Sequence, residues 1–199
     1  MSDRAFHVPT LGDQVPKRGN TVTRTLARTA MRLTHWRFAG HFPNEAKFVL
    51  IVAPHTSNWD FMVGVMAMFA IGIRGTFLGK HTLFRWPLGV AMRWLGGVPV
   101  IRSSSLNQVE QTVNHVRASE GMVLALSPEG TRRKLPAWRT GFYYVAKGAG
   151  VPIVPVAFDY SVRTIRICPV FHLTDDVAAD MAALGGHFRP EMAFRPAQY

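Results

Sequence analysis

Residues 47–60 read KFVLIVAPHTSNWD, and this stretch decides the fold. From Lys47 to Ala53 it is an apolar run of strand length, typical of a strand buried on both faces of a sheet. The polar residues that follow form a turn, and a helix is predicted from about Ser57 to Ile73. Turns from strand to helix are where α/β proteins expose reactive groups, so this turn is the first place to look for chemistry.

Strands and helices continue to alternate downstream. Further helices are predicted at about 83–95, 104–120 and 140–147. Further strands are predicted at 75–79, 98–101 and 122–126, with a strand pair at 153–158 and 163–167. This order predicts a single-domain α/β sandwich whose mostly parallel or mixed sheet is flanked by helices.

The N-terminal part divides into two segments. Residues 1–20 have no periodicity and are interpreted as a polar tail, which leaves 21–199 as the domain. From about residue 23 to 38 the pattern is that of an amphipathic helix, with Arg24, Arg28 and Arg32 spaced four apart. One interpretation is a surface helix with a solvated face. The other is an interfacial helix that presses Leu26, Leu33 and Trp36 into lipid while its arginines meet anionic headgroups.

Charge is concentrated in the first half of the chain. The 199 residues carry a net charge of +11, and residues 14–109 hold 12 basic residues against only Glu45 and Asp60. Such a field favours anionic partners. The only cysteine, Cys168, excludes an intrachain disulfide and suits a reducing compartment. The longest apolar run, 61–73, is shorter than a membrane span, and residues 1–20 lack the apolar stretch of a secretory signal.

His55 and Asp60 are the first candidate catalytic pair. A spacing of five places two side chains about 140° apart on one helix, so His55 should precede the helix and Asp60 should lie in its first turn. Asp60 is also three residues after Ser57, the spacing of a capping box; both interpretations can hold together. A carboxylate bound to one ring nitrogen makes the other a general base. Because no Gly-x-Ser-x-Gly elbow is present, direct attack by a bound hydroxyl is the simplest scheme.

Cations follow several of the predicted strands. The loop after residue 126 contains Arg132 beside Gly130 and Thr131, an arrangement that suits a phosphate or a carboxylate. Lys80 and Arg102 each follow an apolar segment and could point toward a common site. Each of these cations could equally be a surface residue.

Four segments in this order resemble the glycerolipid acyltransferase family, whose best-known members are lysophosphatidic acid acyltransferases. They are His55-x-x-x-x-Asp60, 96–102, 128–132 and 151–156, and the resemblance covers about 47–160. It implies a fold like that of glycerol-3-phosphate acyltransferase. It also implies that His55 is the catalytic base and Asp60 its partner. Substrate binding is implied for six residues: Lys80, Arg102, Glu129, Gly130, Thr131 and Arg132.

The resemblance also implies the reaction. A fatty acyl group would pass from acyl-CoA or acyl carrier protein to the hydroxyl of a lyso-glycerophospholipid such as lysophosphatidic acid, in phospholipid biosynthesis or remodelling. No metal, cofactor or covalent enzyme intermediate is implied. The protein would lie peripherally on an anionic membrane, at its cytoplasmic face. Ile101, Pro99 and Ser127 depart from the residues common in the family, which leaves the acceptor open.

Two alternatives stay open, one of them another enzyme and the other a protein without catalytic activity. One is an acyl thioesterase or lipid hydrolase in which the same His55 activates water. The other is a non-catalytic basic module that binds a membrane or nucleic acid. Binding to nucleic acid is disfavoured because the aromatic residues lie in apolar runs such as 86–88 and 142–144, not among the basic residues as stacking platforms require.

Overall fold

A computed structural model describes residues 6–100, 105–131, 134–174 and 176–199, without the side chains of 105–107. No helix within these ranges is both long and apolar enough to cross a bilayer. The helices are α1 (Thr21–Leu33), α2 (Asn58–Ile71), α3 (Leu88–Trp94), α4 (Ser105–Ala118), α5 (Gly141–Ala149) and α6 (Val177–Gly185). The strands are β1 (Arg37–Ala39), β2 (Lys47–Ala53), β3 (Gly75–Lys80), β4 (Gly97–Val100), β5 (Met122–Leu126), β6 (Ile153–Asp159) and β7 (Thr164–Ile167). Short 3₁₀ turns lie at His81–Phe84, Pro190–Met192 and Pro196–Gln198.

The seven strands form one mixed sheet in the order β1-β7-β6-β2-β5-β3-β4. Strands β6, β2, β5, β3 and β4 are mutually parallel, whereas β7 runs antiparallel to β6 and β1 is parallel to β7. The predicted α/β sandwich with a mostly parallel sheet is therefore confirmed. Because β2 is central, the turn that follows it lies in the middle of the sheet's carboxyl edge.

Two helical layers cover the sheet, and the alternation of β2 explains how. Phe48 packs into one apolar cluster with side chains of α1 and α2. Its neighbours Val49 and Ile51 pack into the other cluster, with side chains of α4, α5 and α6. The third helix joins the first layer, where Trp94 stacks on Phe69 of α2 at 5.4 Å between ring centroids. Both faces of the strand are buried, as its sequence predicts.

The predicted helix over 23–38 is too long. Helix α1 ends at Leu33 and is capped by Thr34, and His35 has a φ of +60°, which reverses the chain. Trp36 then turns into the core instead of facing lipid, with its ring 4.9 Å from that of Tyr160. Residues 37–39 form the edge strand β1, which the sequence analysis missed. A three-residue strand carries too little alternation to be distinguished from the end of a helix.

The sequence analysis assigns the α1 arginines to solvent or to lipid headgroups, and this is wrong for Arg24 and Arg28. The Nε of Arg28 donates to the carbonyl of Ala70 at 2.9 Å, near the end of α2. Arg24 is half-buried beside Gly72, just after that helix. Arg24 and Arg28 therefore pack α1 against the end of α2, and Arg28 also satisfies a carbonyl at that helix C-terminus.

The segment predicted as a polar tail is also packed. Val15 is buried in the first apolar cluster. The backbone of Arg18 donates to Gly72, and the backbone of Arg74 donates to Pro16, both at 2.8 Å. These bonds fix residues 15–20 beside the end of α2, so the folded unit begins before residue 21.

Candidate active site

The candidate residues come together because parallel strands end at one edge of the sheet. His55 lies two residues after β2, Glu129 lies three residues after β5, and Lys80 is the last residue of β3. The three strands are adjacent: Ile51 pairs with Leu126 across β2 and β5, and Phe77 pairs with Ala125 across β3 and β5. The carboxyl edge at the centre of the sheet is therefore the candidate active site.

The turn between His55 and Asp60 is fixed by a helix cap. Ser57 is the N-cap of α2 and forms a capping box with Asp60. Oδ2 of Asp60 accepts hydrogen bonds from the backbone N–H groups of Thr56 and Ser57, each at 2.8 Å. These bonds satisfy donors that the first helical turn would otherwise leave unpaired. The same bonds hold the carboxylate against the turn that carries the histidine.

The carboxylate of Asp60 also reaches the imidazole of His55. Nδ1 of His55 lies 3.2 Å from Oδ2 of Asp60, and the two side chains are 28% and 1% exposed, respectively. The capping and dyad interpretations therefore hold together in the geometry. A carboxylate at Nδ1 favours the tautomer that leaves Nε2 as the acceptor. The dyad thus has a buried carboxylate and an imidazole that a ligand can reach.

Tyr160 supports the far side of Asp60. Its hydroxyl donates to Oδ1 of Asp60 at 2.7 Å, and its ring packs between those of Trp36 and Phe194, at 4.9 and 5.2 Å. Burial acts to raise the pKa of Asp60, but the hydrogen bonds from His55, Ser57 and Tyr160 outweigh it, and the pKa lies below its ordinary value. Burial is the main cause that raises the pKa of Tyr160, and the hydrogen bond to Asp60 raises it further. The hydroxyl therefore stays protonated and donates to the carboxylate.

Glu129, in the loop after β5, contacts the same turn. Its two carboxylate oxygens each accept from the backbone N–H of His55 at 3.0 Å, and the residue is only 6% exposed. Burial raises the pKa of Glu129 to about 7, although the bond from His55 opposes that rise. The sequence analysis assigns Glu129 to substrate binding. In the structure its carboxylate accepts from the backbone N–H of the histidine, and the substrate-binding role stays a prediction.

The remaining predicted residues divide into two groups. Gly130 adopts a φ of +62°, and a Cβ there would lie 3.0 Å from the side chain of Arg139, so a glycine suits this turn. Thr131 follows it and is half-buried, while Lys80 is exposed at the end of β3. Arg102 and Arg132 lie outside the described residues. Among those that are described, no three His, Cys, Asp or Glu side chains are grouped so as to hold a metal ion.

A cleft of about 330 Å³ opens beside the dyad. Its walls come from the turn and first residues of α2 and from the C-terminal segment: Thr56, Ser57, Asn58, Trp59, Arg195 and Gln198. The backbone N–H of Arg195 donates to the hydroxyl of Thr56 at 3.1 Å, which ties this segment to the turn. Sequence reasoning missed both this contact and Tyr160. Tyr160 had one usable signal, because it follows the predicted strand 153–158.

The chain is similar to known proteins over the region that contains most of these residues. A family model described as Acyltransferase matches residues 35–159, which is more than half of the chain. The chain belongs to the acyltransferase family. The matched region contains His55, Asp60 and Glu129. Tyr160 and the C-terminal segment that contacts Thr56 lie beyond it.

Curated relatives carry a consistent name. The 1-acyl-sn-glycerol-3-phosphate acyltransferase of Escherichia coli K12 is 29% identical over 125 residues, which are 59% of this chain and 49% of that protein. The beta form from Homo sapiens is 36% identical over 121 residues, which are 57% of this chain and 42% of that protein. The chain thus matches about half the length of its curated relatives.

A solved structure has the same fold. The 1-acyl-sn-glycerophosphate acyltransferase PlsC from Thermotoga maritima superimposes with a TM-score of 0.60 and 14% sequence identity. The match covers 83% of this chain and 75% of that chain. At this identity the likeness extends to the arrangement of the sheet and its helices.

Proposed function

We propose that this protein is an O-acyltransferase that moves a fatty acyl group from a thioester donor to the hydroxyl of a lyso-glycerophospholipid such as lysophosphatidic acid. The observation that carries the proposal is the 3.2 Å contact between His55 and Asp60 on the capped turn after β2. The names of the curated relatives support the reaction type. The donor is acyl-CoA or acyl carrier protein, both anionic, and the net charge of +11 suits either.

In the proposed mechanism His55 is the general base. With Nδ1 engaged by Asp60, Nε2 takes the proton of the acceptor hydroxyl as the oxygen attacks the thioester carbonyl. The tetrahedral intermediate collapses, the carbon–sulfur bond breaks, and the imidazolium returns its proton to the leaving thiolate. Asp60 stabilises the imidazolium. This scheme needs neither a metal ion nor a covalent enzyme intermediate.

The other predicted site residues have supporting roles in this proposal. Glu129 is a positioning residue whose carboxylate accepts from the backbone N–H of His55 and so holds that backbone in place. Lys80, with Arg102, Thr131 and Arg132, binds the acidic headgroup or a phosphate. The protein acts as a peripheral enzyme at the cytoplasmic face of the membrane, in phospholipid biosynthesis or remodelling. Because Ser127 and Pro99 depart from the common family residues, the acceptor is to be identified by assay.

The test is acyl transfer from labelled acyl-CoA, and separately from acyl carrier protein, to a panel of lyso-lipids. We expect one acceptor to be converted, and we expect His55→Ala to lower kcat by about 10²–10⁴-fold, the usual contribution of a general base. His115→Ala is the matched control, since His115 is exposed in the last turn of α4, in the helical layer that contributes no described residue to the site. Release of free fatty acid without an acylated product would identify a hydrolase instead and contradict the proposal.

A further inference from the structure

The two helical layers differ in what they expose. Among the described residues thirteen large apolar side chains are exposed, and ten of them lie on α1, α2 and residues 81–94. The layer of α4, α5 and α6 exposes only one such described side chain, Tyr144. Single exposed apolar residues are ordinary, whereas a group on one face marks an interaction surface. We call the exposed side of α1, α2 and residues 81–94 the α1–α3 face.

The two most exposed apolar residues of this face, Trp86 and Leu33, lie at its active-site end, and Trp59 and Met62 lie there as well. Trp59 and Met62 are in the first turns of α2, directly after the catalytic turn. Trp86 is 87% exposed and follows β3, whose carboxyl end is at the same edge. Leu33 is 75% exposed at the end of α1, which leads into β1; that strand runs antiparallel to β2 and so begins at this edge. An apolar rim therefore borders the catalytic edge on one side.

The charge of this face is positive throughout. Exposed cations on this face include Arg32, Arg85 and Arg93, while the exposed Arg74 follows α2 and the exposed Lys80 immediately precedes residue 81. The only acids between residues 14 and 109 are Glu45, which lies in the loop before β2, and Asp60, which is buried in the dyad. Large apolar side chains mixed with cations, and few acids, are the composition of surfaces that bind anionic bilayers.

The helices of the α1–α3 face are joined to one another by specific contacts. Arg18 lies over the rings of Phe69 and Trp94, at 4.8 and 5.2 Å from their centroids, and donates to the carbonyl of Trp94 at 2.8 Å. Together with the bond from Arg28 to Ala70, this joins α1, α2 and α3 into one layer. Their exposed side chains are therefore presented by one packed layer.

We infer that the α1–α3 face docks the protein on an anionic bilayer, with Trp86, Leu33 and the start of α2 entering the headgroup region. This inference deepens the proposed function and rests on it for the lipid nature of the acceptor. Docking in this orientation turns the catalytic edge toward the lipid. A lyso-lipid can then reach His55 without leaving the membrane interface.

The experiment measures binding of the full chain to vesicles without any acyl donor. Wild type is co-sedimented with vesicles of phosphatidylcholine alone and with vesicles that also contain phosphatidylglycerol. We expect binding to the anionic vesicles only, weakened by added salt. Trp86→Ala should weaken this binding by about tenfold or more, because a large apolar side chain no longer enters the interface.

Tyr144→Ala is the matched control, since Tyr144 is a 47% exposed aromatic residue on the opposite layer. We expect it to bind as wild type does. Quenching of tryptophan fluorescence by brominated acyl chains supplies a second readout. Trp86→Phe should remove a large part of that quenching, whereas Trp138→Phe, which changes a half-buried residue outside the face, should not.

Several outcomes would overturn the inference. They are equal loss of binding in the Trp86 and Tyr144 variants, no binding to anionic vesicles, and a change in oligomeric state caused by Trp86→Ala. Transfer to a short-chain acceptor dispersed as monomers is measured separately. Transfer without vesicle binding would refute the docking face and leave the proposed activity intact. Vesicle binding through this face without transfer to any acceptor would support the docking face and refute the proposed activity.

Discussion

Two buried carboxylates lie at the turn between β2 and α2, and their surroundings shift their pKa values in opposite directions. Asp60 receives two backbone N–H groups, an imidazole and a phenol, and its pKa lies below the ordinary value. Glu129 receives one backbone N–H, and burial raises its pKa to about 7. Donors around a carboxylate stabilise its charge, and burial without enough of them does not. Asp60 is therefore the residue that stays ionised beside the imidazole.

The raised pKa of Glu129 predicts a pH-dependent stability. In the folded protein this carboxyl titrates at about 7 instead of 4.5, so between these values the folded state binds more protons than the unfolded chain. Its contribution is complete below the lower value and is lost as pH rises through about 7. We expect wild type to lose up to about 3 kcal/mol relative to Glu129→Gln over this range, since one pKa unit corresponds to about 1.4 kcal/mol.

Urea denaturation of both proteins at a series of pH values measures this difference. The glutamine keeps an oxygen for the N–H of His55 but cannot ionise, and the titration of other groups cancels to a first approximation. A difference in the free energy of unfolding that stays constant from about pH 5 to about pH 8 would contradict the prediction.

Single residues could be predicted where chemistry and local spacing agree. The positions of His55 before α2 and of Asp60 in its first turn follow from the spacing alone, as does the cap at Ser57. Contacts across the sheet could not be predicted in this way. Glu129 and Tyr160 reach the turn only because β5 and β6 are the two neighbours of β2. Strand order is a property of the whole chain, and no local pattern records it.

At the scale of elements, the first turn of α2 has two functions. Its capping box at Ser57 satisfies the helix terminus and also orients Asp60. Helix α1 has a cap of the same kind, in which the side chains of Asn20 and Thr23 bond to each other's backbones. The two caps are alike in chemistry, but only the cap of α2 carries a proposed catalytic residue. They therefore form a matched pair for mutation.

We expect Ser57→Ala to lower the free energy of unfolding by about 1 kcal/mol, the usual cost of removing a serine N-cap. It should also lower kcat by about tenfold, because small displacements of catalytic groups are costly. Asn20→Ala should cost a similar stability and leave kcat unchanged with a dispersed short-chain acceptor. Thermal unfolding and steady-state kinetics of the two variants measure both quantities. Equal kcat in the two variants would show that the α2 cap has no role beyond stability.

Helix boundaries show where element-scale reasoning stops. Apolar periodicity predicts α2, β2 and β5 to within one or two residues. It extends α1 five residues too far, because Trp36 and Phe38 continue the apolar pattern while the backbone has already turned at His35. Both aromatic residues are buried in the same cluster as the helix. Periodicity reports burial, and it does not by itself report whether the backbone is still helical.

At the scale of the whole molecule, residues beyond the matched family region contact the candidate site. The backbone of Tyr160 donates to Met192 at 2.9 Å, Phe194 packs on the ring of Tyr160, and the backbone of Arg195 donates to Thr56. The turn between β2 and α2 is thus held from β2 and β5 within the family region and from Tyr160 and residues 192–195 outside it. Support for Asp60 is therefore distributed over distant parts of the sequence.

Tyr160→Phe tests whether that distant support acts on the dyad. The ring keeps its packing against Trp36 and Phe194, and only the bond to Oδ1 of Asp60 is lost. We expect kcat to fall by about tenfold, since a hydrogen bond to a charged group contributes about 1.5–3 kcal/mol. In an Asp60→Asn background the same change should have little further effect, because the charge it supports is gone. Tyr144→Phe serves as the control. A structural role alone would lower kcat equally in both backgrounds, and that result would show that Tyr160 does not act through Asp60.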